Sequence, residues 1–149
     1  MFSKDDIYLD VEAKDHKDLF TKMNKIFLEK GYVKEGYLES ILEREKDYPT
    51  GLMFEKHNVA IPHTLYQYVN EQKIVFVRLK DEIKFGEMSA STGEIEVKLV
   101  FMLLISKGEE QVTILLNLIE LLENNENYKF LESCNNVEEI YELLVRKYG

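Results

Sequence analysis

The sequence predicts an α/β fold in which helices flank a small mixed β-sheet, and two observations predict it. Amphipathic stripes at three- and four-residue steps alternate along the chain with β-branched apolar runs. One such run, Ile95 to Ile105, shows so little polar alternation that both of its faces are expected to be covered. Helices on the two sides of strands, instead of hairpins in series, imply layers around one sheet. At 149 residues, without a linker or internal repeat, the chain is expected to form one domain over 1–149.

Taken in order, Ile7-Tyr8-Leu9-Asp10-Val11 reads as a short first strand. From Asp15 the period changes, and Leu19, Phe20, Met23, Ile26 and Phe27 make one apolar stripe on a helix that Gly31 ends. A second helix is expected from about Gly36 to Lys46, burying Tyr37, Leu38, Ile41 and Leu42. Arg44 then falls near its C-terminal end, where the helix dipole favours cations. Between Asp47 and Asn70 no period holds. Pro49, Gly51, Asn58 and Pro62 punctuate a loop-rich segment in which Val59-Ala60-Ile61 reads as a brief strand.

Lys73 to Leu79 and Ile95 to Ile105 read as strands, the second one central. Ser106 with Glu109 has capping-box spacing and predicts a helix whose apolar face is Val112, Leu115, Leu118, Ile119 and Leu122. A short helix is expected around Glu126–Ser133. Asn136 with Glu139 repeats the helix-start pattern before a stripe of Val137, Ile140, Tyr141, Leu144 and Tyr148.

Charge narrows the partners. Lys and Arg total 19 against 28 Asp and Glu, a net charge of -9 that repels phosphate backbones and anionic lipid, so neither nucleic acid nor membrane insertion is expected. The longest apolar run, Leu99 to Ile105, is far below the ~20 residues of a bilayer span. The acidic start, Asp5 and Asp6, lacks the basic region of a signal peptide. A cytoplasmic protein is expected. The lone Cys134 agrees with a reducing compartment, and its neighbours Glu132, Ser133, Asn135 and Asn136 suit a half-buried helix-end residue better than a reactive thiol.

Histidine is the side chain best suited to take up and pass on protons or phosphoryl groups near neutral pH. His16, among Lys14, Asp15, Lys17 and Asp18, and His57, beside Glu55 and Lys56, read as solvated surface residues. His63 differs, because Pro62 fixes the backbone just before it at the end of a small apolar strand. Spacing alone leaves two readings: a loop histidine bonded to backbone, or a site residue. Glu55, His57 and His63 match no metal-ligand spacing, and no metal is expected. The Gly-x-Ser-x-Gly elbow of a serine hydrolase and a phosphate-cradling Gly-rich loop are both absent from the sequence.

Ala60-Ile61-Pro62-His63, preceded by Arg44-Glu45 and by Tyr48-Pro49-Thr50-Gly51-Leu52, resembles the enzyme IIA family of the bacterial phosphoenolpyruvate-dependent sugar phosphotransferase system (PTS), in its type 2, fructose–mannitol class. The Tyr48 to Leu52 stretch and Thr64 are similar to galactitol-type subunits. Phe85-Gly86-Glu87-Met88, Val97 to Leu103 and Glu109-Glu110-Gln111 extend the likeness from about Leu9 to Tyr148. The resemblance implies the type 2 IIA fold and a phosphocarrier role without a cofactor. His63 would accept a phosphoryl group from phospho-HPr and donate it to a cysteine of a IIB subunit, whose membrane partner IIC handles a polyol such as galactitol. Neutral imidazole is a competent nucleophile for this. The relay expects an exposed His63 in a shallow apolar face with a charged rim, used by donor and acceptor in turn.

Arg44 is the candidate to offset phosphoryl charge, its planar fork suiting phosphate oxygens; a helix-terminal surface arginine is the alternative. Gln111 stands where related members carry a second histidine. It can orient the ring or phosphate by hydrogen bonding but cannot carry a proton, and a plain helix-start residue is the other reading. Pro62, Thr50 and Thr64 are supporting candidates, although loop threonines commonly bond their own backbone. Two other functions share the fold: a regulatory IIA-like sensor using the same histidine, and a non-catalytic partner-binding domain. The absence of an attached DNA-binding segment or IIB domain favours the transport reading.

Overall fold

The computed structural model describes residues 1–89 and 93–148. Its strands are β1 Ile7–Val11, β2 Gly51–Met53, β3 Asn58–Ala60, β4 Lys73–Gly86 and β5 Glu94–Leu104. Its helices are α1 His16–Glu29, α2 Tyr37–Asp47, α3 Gln111–Glu123, α4 Asn125–Ser133 and α5 Val137–Tyr148. The strands form one mixed sheet in the order β1-β4-β5-β3-β2, so the expected central strand is central. β5 runs antiparallel to β4 and parallel to β3, while β1 runs parallel to β4.

The two-residue period of β4 and β5 divides the core. Val75, Val77, Val100 and Met102 pack with Leu19, Phe20, Met23 and Phe27 of α1 and Ile41 of α2. Ile74, Phe76, Leu99 and Phe101 face the other way, onto Leu118 and Leu122 of α3, Leu131 of α4, and Ile140 and Leu144 of α5. Both faces of β5 are therefore covered, which is why its sequence lacks alternation.

Caps set most helix starts. Asp15 Oδ1 accepts the Asp18 N–H at 2.8 Å, Asn124 Oδ1 that of Asn127 at 3.0 Å, and Asn136 Oδ1 that of Glu139 at 3.1 Å. The start of α2 is made by Gly36 at φ 97°, a conformation that favours glycine. The side chain of Tyr148, placed by its spacing on the α5 stripe, lies outside the described residues.

Three expectations need correction. The Lys73–Leu79 strand continues to Gly86, because exposed Lys80, Asp81 and Glu82 sit in a register irregularity between Arg78 and Ile83 and the pairing resumes beyond it. The loop-rich segment contains β2, whose three residues pair with β3 but are too few to show a period. Ser106 does not cap α3. Its N–H goes to Gln72 Oε1 at 3.3 Å, Gln72 Nε2 donates to Glu110 Oε2 at 2.7 Å, and a 3-10 turn at Gly108–Glu110 delays the helix to Gln111. No helix among the described residues is long and apolar enough to cross a membrane.

Candidate functional site

Beyond β3 the chain does not leave the sheet. The Leu103 N–H of β5 donates to the Pro62 carbonyl at 2.9 Å, and His63 pairs with Leu103 as an isolated parallel bridge. His63 Nδ1 lies 2.8 Å from the Ile61 carbonyl oxygen. A carbonyl only accepts, so the neutral ring carries its proton on Nδ1 and keeps a lone pair on Nε2. Among the described residues nothing bonds Nε2. The residue is 8% exposed, more covered than an openly presented carrier histidine was expected to be. It reaches solvent through a pocket of about 350 Å³ lined by Asp47, Tyr48, Pro49, Thr50 and Met88.

Arg44, in the last turn of α2, lines an adjoining pocket of about 310 Å³ with Ser40, Asp47, Tyr48, Thr64 and Leu65. Its guanidinium carbon sits 4.5 Å from the centre of the Tyr48 ring, a stacking that holds the fork in place. Burial holds the His63 ring below its usual pKa; the bond to Ile61 opposes this, and the Arg44 charge adds to the lowering. The ring is thus neutral, and nucleophilic, at neutral pH. Exposed Tyr48, Leu65 and Met88, the first two beside Arg44, give this corner an apolar margin.

The threonine hydroxyls are engaged by α2. Thr64 Oγ1 shares a short hydrogen bond with Ser40 Oγ. Thr50 is buried, its Oγ1 donating to Glu45 Oε1 at 2.6 Å and its N–H to Glu45 Oε2 at 2.7 Å. Its carbonyl accepts the Ile61 N–H at 3.2 Å, tying this corner to the strand end that carries His63. Glu45, next to Arg44 in the sequence motif, is not among the expected site residues. It is 4% exposed, and burial pushes its carboxyl up to about 7 in spite of the Thr50 bonds. The available signal was position, since Glu45 falls one turn after Ile41 on the buried stripe of α2.

Gln111 is the first residue of α3, half-buried, and lines neither pocket. His16 and His57 are not the solvated residues their neighbours suggest. His16 packs its ring 5.7 Å from both Phe20 and Phe85. His57 stacks on Tyr128 at 4.0 Å and 14°, and its Nε2 donates to the Leu122 carbonyl at 2.6 Å. Cys134 is half-buried at the end of α4, as expected. Among the described residues no group of three or more His, Cys, Asp and Glu could hold a metal ion.

Comparison with known proteins places these features. The mannitol-specific EIICBA component of Buchnera aphidicola subsp. Baizongia pistaciae is 26% identical over 148 residues, which is 97% of this chain but 22% of that protein. The galactitol-specific EIIA component of Escherichia coli K12 is 27% identical over 101 residues, 68% of this chain and 67% of that one. The fold matches the structure titled as a complex of mannitol enzyme IIA and phosphorylated enzyme IIB from Escherichia coli, with a TM-score of 0.78 at 22% identity, covering 97% of this chain and 99% of that one. Residues 1–147 match the profile described as phosphoenolpyruvate-dependent sugar phosphotransferase system, EIIA 2, so the chain belongs to this family of phosphotransferase components.

Proposed function

We propose that the chain is a cytoplasmic phosphocarrier of a sugar phosphotransferase system, with His63 as the residue that carries the phosphoryl group. The observation that carries this is the ring's asymmetry: Nδ1 is held by the Ile61 carbonyl, and Nε2 keeps its lone pair beside a pocket next to Arg44. Nε2 attacks the phosphorus of the phosphohistidine on HPr, the donor N–P bond breaks, and the new bond forms at Nε2. A IIB cysteine thiolate then attacks the same phosphorus, and the Nε2 lone pair returns to a neutral ring. Arg44 offsets the charge on the phosphoryl oxygens in both steps. Thr50 and Thr64 form walls of the His63 and Arg44 pockets, and Pro62 fixes the backbone before His63. Gln111, which lines neither pocket, orients the ring or its phosphate from the start of α3 in the phosphorylated state.

The apolar margin around the pocket serves HPr and IIB in turn, an interface at the small end of specific ones so that the carrier turns over. A polyol such as galactitol is the transported class this reading favours, supported by the galactitol-specific relative; the sugar itself meets the membrane IIC subunit. The test is label transfer from phosphoenolpyruvate through enzyme I and HPr, followed by a chase with candidate IIB proteins. Label on the wild type, none on H63A and a chase to one IIB support the proposal. Label that no IIB removes favours a regulatory member, and no label at all favours a partner-binding domain.

A further inference from the structure

Thr50 forms part of the wall of the His63 pocket and is held from behind by Glu45. A threonine hydroxyl has one proton to give. With the Glu45 carboxylate accepting at Oε1, that proton is spent on Glu45 and none points at a phosphoryl oxygen. A protonated Glu45 reverses the bond: the acid O–H donates to Thr50 Oγ1, and the threonine's own proton is released toward the pocket. Oε2 goes on accepting the Thr50 N–H in either state, so the backbone does not move.

On the reading of His63 as the phosphoryl carrier, we infer that Glu45 and Thr50 form a proton-coupled donor. A proton taken up by Glu45 as the phosphoryl group arrives turns the Thr50 hydroxyl from the carboxylate to a phosphoryl oxygen. The balance is simple. One proton comes from solvent to Glu45, Thr50 keeps its own, and the only covalent change is the N–P bond already described. Glu45 lines the far side of the same corner, in a groove shared with His16 and Lys17 of α1, Glu39, Glu43 and Lys46 of α2, and Glu94 of β5. Solvent protons reach it there without crossing the phosphoryl pocket. Arg44 and Asp47 are charged groups on the pocket side, where Glu39 and Glu43 also line the adjoining Arg44 pocket. The burial that pushes Glu45 up to about 7 lets it change charge under ordinary conditions, and an incoming phosphoryl dianion favours the protonated form further. Glu45 is a positioning residue in this scheme, and Thr50 is the group that touches the phosphate.

The test is the rate of phosphorylation by phospho-HPr from pH 6 to pH 9, read as ratios so that the donor's own pH dependence cancels. In E45Q the amide donates to Thr50 Oγ1 permanently and mimics the protonated acid. The ratio of E45Q to wild type is expected to rise with pH, reaching about fivefold to tenfold at pH 9. The ratio of T50S to T50V, measured with the carboxylate intact, is expected to fall toward one over the same range, because the hydroxyl is then spent on Glu45. Ratios that stay constant with pH overturn the inference, and the T50S and T50V pair decides it even where E45Q does not fold. H63A separates the two claims. A dead H63A with constant ratios sinks only the proton-coupled donor, whereas label on H63A removes the carrier reading and this inference with it.

Discussion

His63 and His57 are two partly or largely covered imidazoles at the two ends of β3, each bonded to one backbone carbonyl and each beside a pocket, of about 350 and 340 Å³. They differ in which nitrogen is used and in the surrounding charge. His63 gives Nδ1 to Ile61 and keeps Nε2 for a pocket next to Arg44. His57 gives Nε2 to Leu122, covers one ring face with Tyr128 and faces a pocket edged by Glu82, Glu96 and Glu132 with Lys56 and Lys129. The Nδ1 of His57 is buried with no hydrogen-bond partner among the described residues. His57 thus also has an unbonded nitrogen, but it is buried and its pocket is edged mostly by carboxylates. The proposed carrier role asks for an unbonded nitrogen open to its pocket and a cation able to receive the dianion's oxygens.

The sharpest way to break this contrast is to exchange each ring for alanine. H63A is expected to lose phosphorylation by phospho-HPr to background, while H57A stays within about twofold of wild type in labelling rate. Next comes the cation. R44A is expected to slow transfer by about 10²–10³-fold, the usual loss for one charge-stabilising donor, with R44K recovering part of it. The same variant raises the His63 titration point in NMR, because Arg44 helps hold it low; an unmoved titration would separate Arg44 from the ring.

Glu45 sharpens the contrast through stability. Its carboxyl titrates near 4.5 when unfolded and at about 7 when buried, so the unfolded chain sheds this proton first as pH rises. The stability it contributes is full below about 4.5 and is lost as pH rises to about 7. Urea unfolding at pH 5 and pH 8 is expected to show wild type losing roughly 2–3 kcal/mol more than E45Q over that interval. Equal losses would contradict the buried, raised carboxyl. Smaller still is Gln111: Q111A is expected to slow transfer about threefold to tenfold, the worth of one orienting hydrogen bond, and an unchanged rate refutes the role. The smallest effect is ionic. With a net charge of -9, docking of basic-rimmed partners is expected to slow a few-fold as salt is raised, and a salt-indifferent rate would count against steering.

The same contrast explains what was legible in the sequence. Periodic apolar stripes place α1 and α5, and the unbroken apolar run of β5 places the centre of the sheet, because long repeats report burial directly. The position of His63 at a strand end is legible through Ile61 and Pro62, next to its bridge to Leu103, whereas spacing alone leaves its role open. The packing of His57 is not legible, since Tyr128 and Leu122 reach it from distant parts of the chain. Nor is Glu45, because charged residues on a helix are usually exposed and only its partner Thr50, across the α2–β2 turn, makes burial tolerable. Ser106 misleads for a related reason: its N–H donates to distant Gln72 instead of to a local capping carboxylate. Short-range patterns thus find elements and strand-end residues, and long-range polar pairs stay hidden.

The most direct measurement is nitrogen–phosphorus correlation NMR on the chain after phosphorylation by phospho-HPr, with the histidine rings labelled. The expected result is one phosphorus bonded to Nε2 of His63, with Nδ1 still protonated against Ile61. Phosphorus on Nδ1 of His63, on His57 or on any other side chain would contradict it.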